Sequence, residues 1–358
     1  MTSEFSGLIL YPMKSLALKY IKESAFTSVR VQDLMNEKLF PTEEFENPKK
    51  EAIYNEARPY HKRQHGLIRM SKYVFSETAD IRRKCLSKHG LELSFSDIRY
   101  DYGLADSIII DNDVFGKANS PGFSDDEKKK IWYVNFASEK AFTEWGSMST
   151  SQEAFMTVEM PLLHKASLFL EKEATSQSSQ SYTISHTKFN SYVVFKPEEK
   201  SELRYLPSPL LFENVPQWVS IFGGQKHNVT YDKKNNVISM MSPFGGDGTY
   251  KKKEILFLFL TLFAGFGGII KRGQKDKCSY TEVHTGNWGC GNMRNNKELI
   301  YLSQIYTADL FGIDKLVFHN IDKKLMANAI EKWKALPDKL SFTDIVTIFT
   351  DYNFTWRE

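Results

Sequence analysis

The longest uncharged stretch of this chain places the strongest constraint on its fold. Residues 255–270 carry no charge and lie between basic flanks, in "KKKEILFLFLTLFAGFGGIIKRG". A membrane-spanning helix needs roughly 20 apolar residues, so we predict instead a buried helix from residue 252 to about residue 264, ended by the glycines at 265–268. Such a helix lies at the centre of a sizeable core, and no transmembrane span is expected.

Strand-like and helical patterns alternate along most of the chain. The segments "KIWYVNFAS", "YVVFKP", "PLLFEN", "NVISMMS" and "KLVFHNID" are strand-like, and helical patterns lie between and after several of them. This alternation favours an α/β layered fold with helices on both faces of the sheet. The first 120 residues are predicted to be mostly helical, because "MKSLALKYIKESA" and "VQDLMNEKL" have helical spacing and only "LELSFSDIRY" alternates like a short strand.

Charge and cysteine content narrow the choice of partners. The net charge is +3 and the basic runs are short, so no nucleic-acid partner is expected. The three cysteines form no CxxC pair and no zinc-type spacing, so we expect neither a disulfide scaffold nor a metal site. The N-terminus lacks the basic start and long apolar core of a secretory signal. We therefore expect a cytoplasmic protein, or one secreted without a classical signal peptide.

A glycine-rich turn joins a predicted strand to a predicted helix in "VHTGNWGCGNMRNN", residues 283–296. Gly286, Gly289 and Gly291 would let the main chain approach a ligand closely. Successive amides and the helix N-terminus could then bind phosphate oxygens. Two interpretations stay open here, a diphosphate site and a tight turn with Trp288 as a core plug. The spacing matches neither the dinucleotide fingerprint nor the P-loop.

Three ordered motifs resemble those of poly(ADP-ribose) glycohydrolases, a family with the macrodomain fold. The heptapeptide "TGNWGCG" is similar to the signature of that family, and "VNFAS" at residues 134–138 is similar to its Val-Asp-Phe-Ala-Asn strand. Gln152 follows Ser138 by 14 residues, where the family has Gln-Glu-Glu. The resemblance implies a macrodomain-like, three-layer α/β/α domain with a mixed sheet over residues 121–358. Residues 1–120 would then be a mostly helical accessory region packed on this domain.

The resemblance implies ADP-ribose as ligand or product and no separate cofactor. Asp125 would receive the adenine amino group, although it could equally cap a helix or turn. Trp218 or Phe222 could stack on the adenine ring, or either could be a core residue. Gln152 would also lie at the ligand. The turn residues that the resemblance assigns to the diphosphate and proximal ribose are Gly286, Asn287, Trp288, Gly289, Cys290, Gly291 and Met293.

The chain also departs from the family at positions that carry chemistry. Ala154 stands where the family has its general acid, and residues 142–144 and 147–149 stand where it has two glycine triplets. Cleavage of a glycosidic bond between riboses needs a positioned acid. Hydrolysis of the polymer by the family route is therefore not expected, unless another group replaces this acid.

Two functions remain open. In the first, the chain hydrolyses mono-ADP-ribose from protein side chains by attack of water at the anomeric carbon of the distal ribose, with Glu153 and Asp247 as catalytic residues. Arginine linkage is favoured because its cationic leaving group needs less acid assistance, and such variants are a theme among bacterial effectors. In the second, the chain is a catalytically inactive ADP-ribose-binding module, with Glu153 as a carboxylate at a helix N-terminus and Asp247 in a hairpin turn. His284 and His319 are read as strand-end residues, and Cys290 is not expected to be a nucleophile.

Overall fold

The structure is a computed structural model of the chain. It describes residues 18, 20–36, 38–39, 45–61, 65–75, 91–96, 129–137, 142, 146–149, 151–176, 182–184, 193–195, 204–206, 209–220, 228–229, 234–337 and 340–357. Its strands are β1 (Ile21–Arg30), β2 (Leu67–Phe75), β3 (Glu92–Ser96), β4 (Lys129–Ala137), β5 (Tyr182–Ile184), β6 (Val193–Phe195), β7 (Arg204–Leu206), β8 (Leu210–Pro216), β9 (Val219–Ser220), β10 (Asn228–Val229), β11 (Lys234–Met241), β12 (Tyr280–Thr285) and β13 (Lys315–His319). Its helices are α1 (Val31–Leu34), α2 (Pro48–His61), α3 (Gln152–Glu159), α4 (Leu162–Ser176), α5 (Lys252–Lys275), α6 (Lys297–Phe311), α7 (Lys323–Ala335) and α8 (Phe342–Asp351).

The described strands form one large mixed sheet and two small ones. The large sheet has eight strands in the order β1-β2-β8-β11-β4-β12-β13-β3. Strands β11, β4, β12, β13 and β3 are parallel to one another, whereas β1, β2, β8 and β11 pair in antiparallel fashion. The predicted α/β class with a mixed sheet is therefore confirmed.

Both faces of the large sheet are covered by helices, which gives three layers. Trp132, Val134 and Ile238 point into the larger core, which α5, α6, α7 and α8 complete on one face. Tyr133 and Val237 point the opposite way, into a second core built with α1, α2, α3 and α4. Neighbouring residues of one strand thus serve opposite cores, as the two-residue period of a strand requires.

The long helix α5 is buried as predicted but does not end at its glycines. It continues through residues 265–268 to Lys275, and 78% of its most apolar 18-residue stretch is buried. A Cβ added at Gly265 would lie 2.5 Å from the Met240 sulfur, and one at Gly268 would lie 2.8 Å from the Tyr73 ring. These glycines therefore allow close packing of the helix on the sheet instead of terminating it.

The N-terminal part of the chain differs from the mostly helical region expected over residues 1–120. Among its described residues, β1, β2 and β3 are strands of the large sheet, and β1 covers part of the segment predicted to be helical. The edge strand β1 pairs with β2 along its whole length. Pairing with a neighbouring strand has overridden the local helical spacing. The predicted short strand in residues 91–100 is confirmed as β3.

Buried ion pairs join the C-terminal end of α5 to the sheet. The Glu213 carboxylate on β8 bonds Lys130 on β4 and Arg272 on α5, the latter at 2.6 Å. Asp276, just after α5, bonds Lys130 and lies 3.3 Å from Arg272. The Glu213 side chain is 2% exposed, so both cations are needed to compensate its desolvation.

Candidate functional site

The candidate residues gather at one edge of the sheet. Strands β11, β4, β12 and β13 are parallel, so their carboxyl ends lie at the same edge. The segments that follow them are residues 242–249 after β11, the approach to α3 after β4, residues 286–296 after β12 and residues 320–322 after β13. Ligands of open α/β sheets bind at this kind of edge.

Trp288 anchors the glycine turn to the sheet. The indole is fully buried, and its Nε1 donates to the Met240 carbonyl of β11 at 3.0 Å. The Trp288 amide donates to the Gly286 carbonyl at 2.8 Å, and the Cys290 amide donates to the Asn287 carbonyl at 2.9 Å. The Trp288 side chain is therefore a core residue, so only its main chain could contact a ligand as predicted.

Two of the turn glycines are required by neighbouring protein atoms. A Cβ at Gly286 would lie 2.7 Å from the His319 carbonyl oxygen. Gly289 has φ +71°, a left-handed conformation, and its Cβ would lie 2.0 Å from the Ser242 hydroxyl. Close approach of β13 and of the loop after β11 thus explains these two glycines without any ligand.

Gly291 and its neighbours are different. A Cβ at Gly291 would meet no atom within 4 Å. Within the part of the chain that the structure describes, the amides of Gly289, Gly291, Asn292 and Met293 donate to no protein acceptor. Residues 291 and 292 are exposed and Met293 is partly exposed. These N–H groups, beside the N-terminus of α6, are available to an anionic ligand.

Asn287 has a structural partner on each side of its amide. Its Nδ2 donates to the Asn320 carbonyl, and its Oδ1 accepts from the Tyr301 hydroxyl. The same hydroxyl accepts from the Asp322 amide at 3.1 Å. The Asn287 side chain therefore holds the glycine turn against the loop after β13, and a contact with a ligand stays a prediction.

Cys290 is a poor nucleophile. Burial raises the pKa of its thiol to about 12, and the Sγ atom lies 3.6 Å from the Trp288 carbonyl. At neutral pH the thiol is therefore protonated. This agrees with the expectation that Cys290 does not carry covalent chemistry.

Gln152 and Glu153 lie in the first turn of α3, where Ser151 caps the helix by accepting from the Ala154 amide at 3.1 Å. Gln152 clamps β4, because it accepts from the Phe136 amide at 2.9 Å and donates to the Val134 carbonyl at 3.1 Å. Both ends of the Gln152 side-chain amide bond β4, so its predicted contact with a ligand stays a prediction.

Glu153 is 2% exposed, and its Oε1 accepts from the Asn135 side chain at 3.2 Å and from the Phe142 amide at 2.9 Å. Asn135 in turn donates to the Ser239 hydroxyl of β11 at 3.1 Å. The carboxylate thus lies beside the ends of β4 and β11, at a helix N-terminus that favours negative charge. The neighbouring Ala154 is fully buried.

Asp247 is exposed on the loop after β11, and that loop is held in place. A Cβ at Gly246 would lie within the indole of Trp356, 1.8 Å from its nearest atom, and the Trp356 amide donates to the Gly248 carbonyl at 2.9 Å. Trp356 stacks on Tyr250 with ring centroids 4.2 Å apart. The loop that carries Asp247 is therefore anchored at its far end.

Trp218 is a core residue. Its side chain is fully buried and stacks on Tyr54 with centroids 5.3 Å apart, and its amide donates to the Glu159 carbonyl at 2.7 Å. The structure therefore agrees with the core alternative for Trp218, and stacking on adenine would require the side chain to leave this packing. Asp125 and Phe222 lie outside the described residues.

Asn295, which the sequence did not single out, links the glycine turn to the loop after β11. The Asn295 Nδ2 donates to the Pro243 carbonyl at 2.7 Å and to the Gly289 carbonyl at 3.0 Å, and it also bonds Ser242. Its Oδ1 accepts from the Tyr250 hydroxyl at 2.9 Å. The available signal was the pair of asparagines before α6, of which only Asn296 acts as the helix cap.

Three buried polar side chains, Glu282, His284 and His319, are joined by hydrogen bonds on β12 and β13, the strands that precede the loops of the site. The His284 Nε2 lies 2.8 Å from the Glu282 carboxylate, and the His284 Nδ1 lies 3.0 Å from the His319 Nε2. Burial lowers the pKa of His284, and burial with the nearby His284 lowers the pKa of His319 to about 3. Burial opposes ionisation of Glu282, yet the bond from His284 and the charge of Lys129 lower its pKa to about 2. Both histidines are therefore neutral strand residues at pH 7.

The sequence matches no family model and no curated protein. Solved structures of bacterial poly(ADP-ribose) glycohydrolases are similar to this chain. The enzyme from Deinococcus radiodurans in complex with ADP-ribose is 12% identical, with a TM-score of 0.38 over 68% of this chain and 84% of that one. The enzyme from Thermomonospora curvata bound to the inhibitor ADP-HPD is 12% identical, with a TM-score of 0.40 over 74% of this chain and 79% of that one. A second structure of the Thermomonospora curvata enzyme is 9% identical, with a TM-score of 0.39 over 85% of this chain and 85% of that one.

Proposed function

We propose that this chain binds ADP-ribose at the glycine turn and hydrolyses the glycosidic bond that joins ADP-ribose to a modified protein. The observation that supports this best is the group of amides at Gly289, Gly291, Asn292 and Met293, which donate to no acceptor in the described part of the chain. Main-chain N–H groups gathered beside a helix N-terminus bind phosphate oxygens well. The motif "TGNWGCG", which contains part of this turn, resembles that of poly(ADP-ribose) glycohydrolases.

Glu153 is the carboxylate that we assign to the reaction. Its Oε1 accepts from Asn135 on β4 at 3.2 Å. Because β4 pairs with β12, the strand that leads into the glycine turn, Glu153 and the turn belong to adjacent positions on the sheet edge. A carboxylate there can stabilise the positive charge that develops on the distal ribose and can orient a water molecule. Asp247, exposed on the loop after β11, is the second candidate for this role.

The linkage that we favour is the one to arginine. The bond between the anomeric carbon and a guanidinium nitrogen breaks, the water oxygen bonds the same carbon, and the proton of that water passes through a carboxylate to the departing guanidine. Because the guanidinium is already cationic, no prior protonation of the leaving group is needed. This suits a chain with Ala154 where an acid would otherwise stand. The partner would then be a mono-ADP-ribosylated protein.

The second candidate is an ADP-ribose-binding module without catalysis. It is favoured by the hydrogen bonds that Glu153 Oε1 already accepts from Asn135 and Phe142. A carboxylate that the protein itself solvates in this way can serve to hold the loop after β4 at the start of α3. In that case the glycine turn would bind ADP-ribose without turnover.

Gly291 allows the binding proposal to be tested without disturbing the fold. Because a Cβ there meets no protein atom within 4 Å, Gly291→Val should leave the unfolding temperature of the unliganded protein unchanged. The new side chain would stand in the path of a ligand on the neighbouring amides, so the increase in unfolding temperature caused by ADP-ribose should disappear. Failure of ADP-ribose to bind the wild-type chain would remove both candidate functions.

Turnover separates the two candidates. Wild-type protein should release ADP-ribose from arginine-modified protein, and less or none from serine-linked, glutamate-linked or polymeric substrates. Glu153→Gln keeps an oxygen that can accept from Asn135 and Phe142, so it should bind ADP-ribose while losing turnover. Asp247→Asn tests the exposed carboxylate in the same way. Binding without release by the wild type would leave the binding module, and full activity of both variants would reject our assignment of the carboxylates.

A further inference from the structure

Six basic side chains lie on the segments that meet beside the glycine turn. These segments are the start of α5, the turn itself with the start of α6, and the C-terminal tail at residues 354–357. Five of the six side chains are exposed and one is half-buried. We call them the basic rim, and they are Lys251, Lys252, Lys253, Arg294, Lys297 and Arg357.

Backbone hydrogen bonds hold the three segments of the basic rim together. The amide of Tyr250, just before α5, donates to the Phe354 carbonyl of the tail at 2.9 Å. The Arg357 amide donates to the Arg294 carbonyl of the turn at 3.0 Å. The amide of Asn296, just before α6, donates to the Tyr250 hydroxyl at 3.0 Å. The tail is therefore fixed between the starts of the two helices, and the basic rim is one continuous surface.

The cations of the basic rim have no acidic partners within the part of the chain that the structure describes. None of the six side chains forms an ion pair there. Cations elsewhere on the described surface behave differently, because several of them contact a carboxylate within 4 Å. Examples are Lys129, Lys130, Lys275, Lys315 and Lys332.

Carboxylates on the same segments compensate little of this charge. Glu254 accepts from the Lys251 amide at 2.8 Å and from the Trp356 indole at 3.3 Å, so it serves the start of α5 and the tail. Glu298 forms an ion pair with a lysine of α7. Asp247 is exposed on the loop after β11. Six cations therefore outnumber the described carboxylates, and the surface beside the glycine turn has a positive potential.

Three of these lysines also lie where a helix disfavours them. Lys252 and Lys253 are the first two residues of α5, and Lys297 is the first residue of α6. The N-terminus of a helix carries a partial positive charge, so a cation in the first turn is unfavourable. This placement lowers the stability of both helices and concentrates positive potential at the glycine turn.

We infer that the basic rim is a docking surface for an acidic segment of the protein that carries the ADP-ribose. The inference rests on the proposed function, because ADP-ribose that binds the glycine turn while joined to a protein brings the surface of that protein to the basic rim. Carboxylates near the modified side chain would supply the ion pairs that the six cations lack in the described chain. Complementary charge speeds the encounter of two proteins and selects between partners. The net charge of only +3 argues against nucleic acid as the occupant.

The test uses ADP-ribose joined to short peptides through a linker that cannot be hydrolysed, so turnover does not enter the measurement. One peptide is rich in glutamate, the second has serine in place of each glutamate, and ADP-ribose alone is the third ligand. The variant is Lys253→Glu and its matched control is Lys277→Glu, each of which reverses one exposed charge. These positions lie near opposite ends of α5, whose 24 residues span roughly 36 Å. Affinities are measured by titration calorimetry on the full chain.

Wild type should bind the glutamate peptide more tightly than the serine peptide. Lys253→Glu should reduce this ratio of affinities by roughly two- to thirtyfold, because an attraction becomes a repulsion, whereas Lys277→Glu should leave the ratio unchanged. NaCl at about 1 M should remove the preference of the wild type. Lys253→Glu should unfold at a temperature at least as high as the wild type, since a carboxylate is favoured in the first turn of a helix. A purely structural role of Lys253 predicts the opposite change in unfolding temperature.

Equal affinity of the wild type for the two peptides would overturn the docking inference while the proposed function stands. An equal loss of the ratio in both variants would overturn it as well, because the effect would then come from the total charge of the protein. If the wild type binds a single-stranded RNA oligonucleotide more tightly than the glutamate peptide, and Lys253→Glu loses this binding, the surface serves nucleic acid and the inference is wrong. Absence of ADP-ribose binding in the wild type would instead reject the proposed function itself.

Discussion

The contrast between Gly289 and Gly291 gives the sharpest test of the glycine turn. The perturbation is Gly289→Ala, with Gly291→Ala as its matched control two residues away. Gly289 has φ +71°, and an added Cβ would lie 2.0 Å from the Ser242 hydroxyl and 2.7 Å from Asn295 Nδ2. Gly291 has no positive φ, and its Cβ would meet nothing within 4 Å.

The expected magnitude follows from these contacts. An alanine in the left-handed region costs about 1–2 kcal/mol. Moving Asn295 away from the new methyl group breaks its bonds to Ser242 and Pro243, each contributing about 1 kcal/mol. Gly289→Ala should therefore lower the free energy of unfolding by roughly 3–4 kcal/mol. Gly291→Ala should change it by less than about 1 kcal/mol, and in the direction of greater stability, because alanine restricts the unfolded chain.

Urea denaturation followed by intrinsic fluorescence measures both values. The double variant Ser242→Gly with Gly289→Ala removes the two nearest clashing atoms, so it should recover about 1–2 kcal/mol relative to Gly289→Ala alone, in line with the interaction energies of residues in contact. Equal stability of the two single variants would refute the argument, since the close approach of the loops would then place no demand on Gly289.

Three further perturbations test other parts of the structure. The folded-state pKa of His319 is lowered to about 3, so its contribution to stability is present above the unfolded pKa near 6.5 and is lost as pH falls. Between pH 7 and pH 5, the free energy of unfolding of the wild type should therefore fall by about 2 kcal/mol more than that of His319→Gln. Parallel pH curves of the two proteins from urea denaturation would contradict this. Trp356→Ala should destabilise by about 3–5 kcal/mol and expose the loop at Gly246 to proteolysis, whereas an unchanged unfolding temperature would show that the stacking on Tyr250 contributes nothing. Glu213→Ala should cost about 3–5 kcal/mol because it leaves Lys130 and Arg272 without their buried carboxylate, whereas Asp276→Ala, at a position that is 25% exposed, should cost clearly less by chemical denaturation.

Features set by local spacing were predictable from the sequence. The apolar run at 255–270 indicated a buried helix, and alternating segments indicated β4, β8, β11 and β13. The placement of the glycine turn between a strand and a helix was also predicted. In each case the signal lies within a short stretch of neighbouring residues: an uncharged apolar run, an alternation of apolar and polar residues, or a group of glycines.

Features set by distant contacts were not predictable. The helical spacing before residue 26 gave no sign of β1, because that strand exists through its pairing with β2. The glycines of α5 were read as a helix end, because their partners Met240 and Tyr73 lie far away in sequence. Trp218 left two alternatives open, which its contact with Tyr54 distinguishes. A single sequence does not contain these distances.

The amide of Asn295 joins the Pro243 and Gly289 carbonyls across two loops, and this has a kinetic consequence. Neither loop can move without breaking a hydrogen bond to the other, so a ligand that binds between the two loops meets a surface already in its final shape. Association should then proceed in one step, with an observed rate that rises linearly with ligand concentration and shows no plateau. Discrimination between ligands would therefore be expressed in how long each one stays.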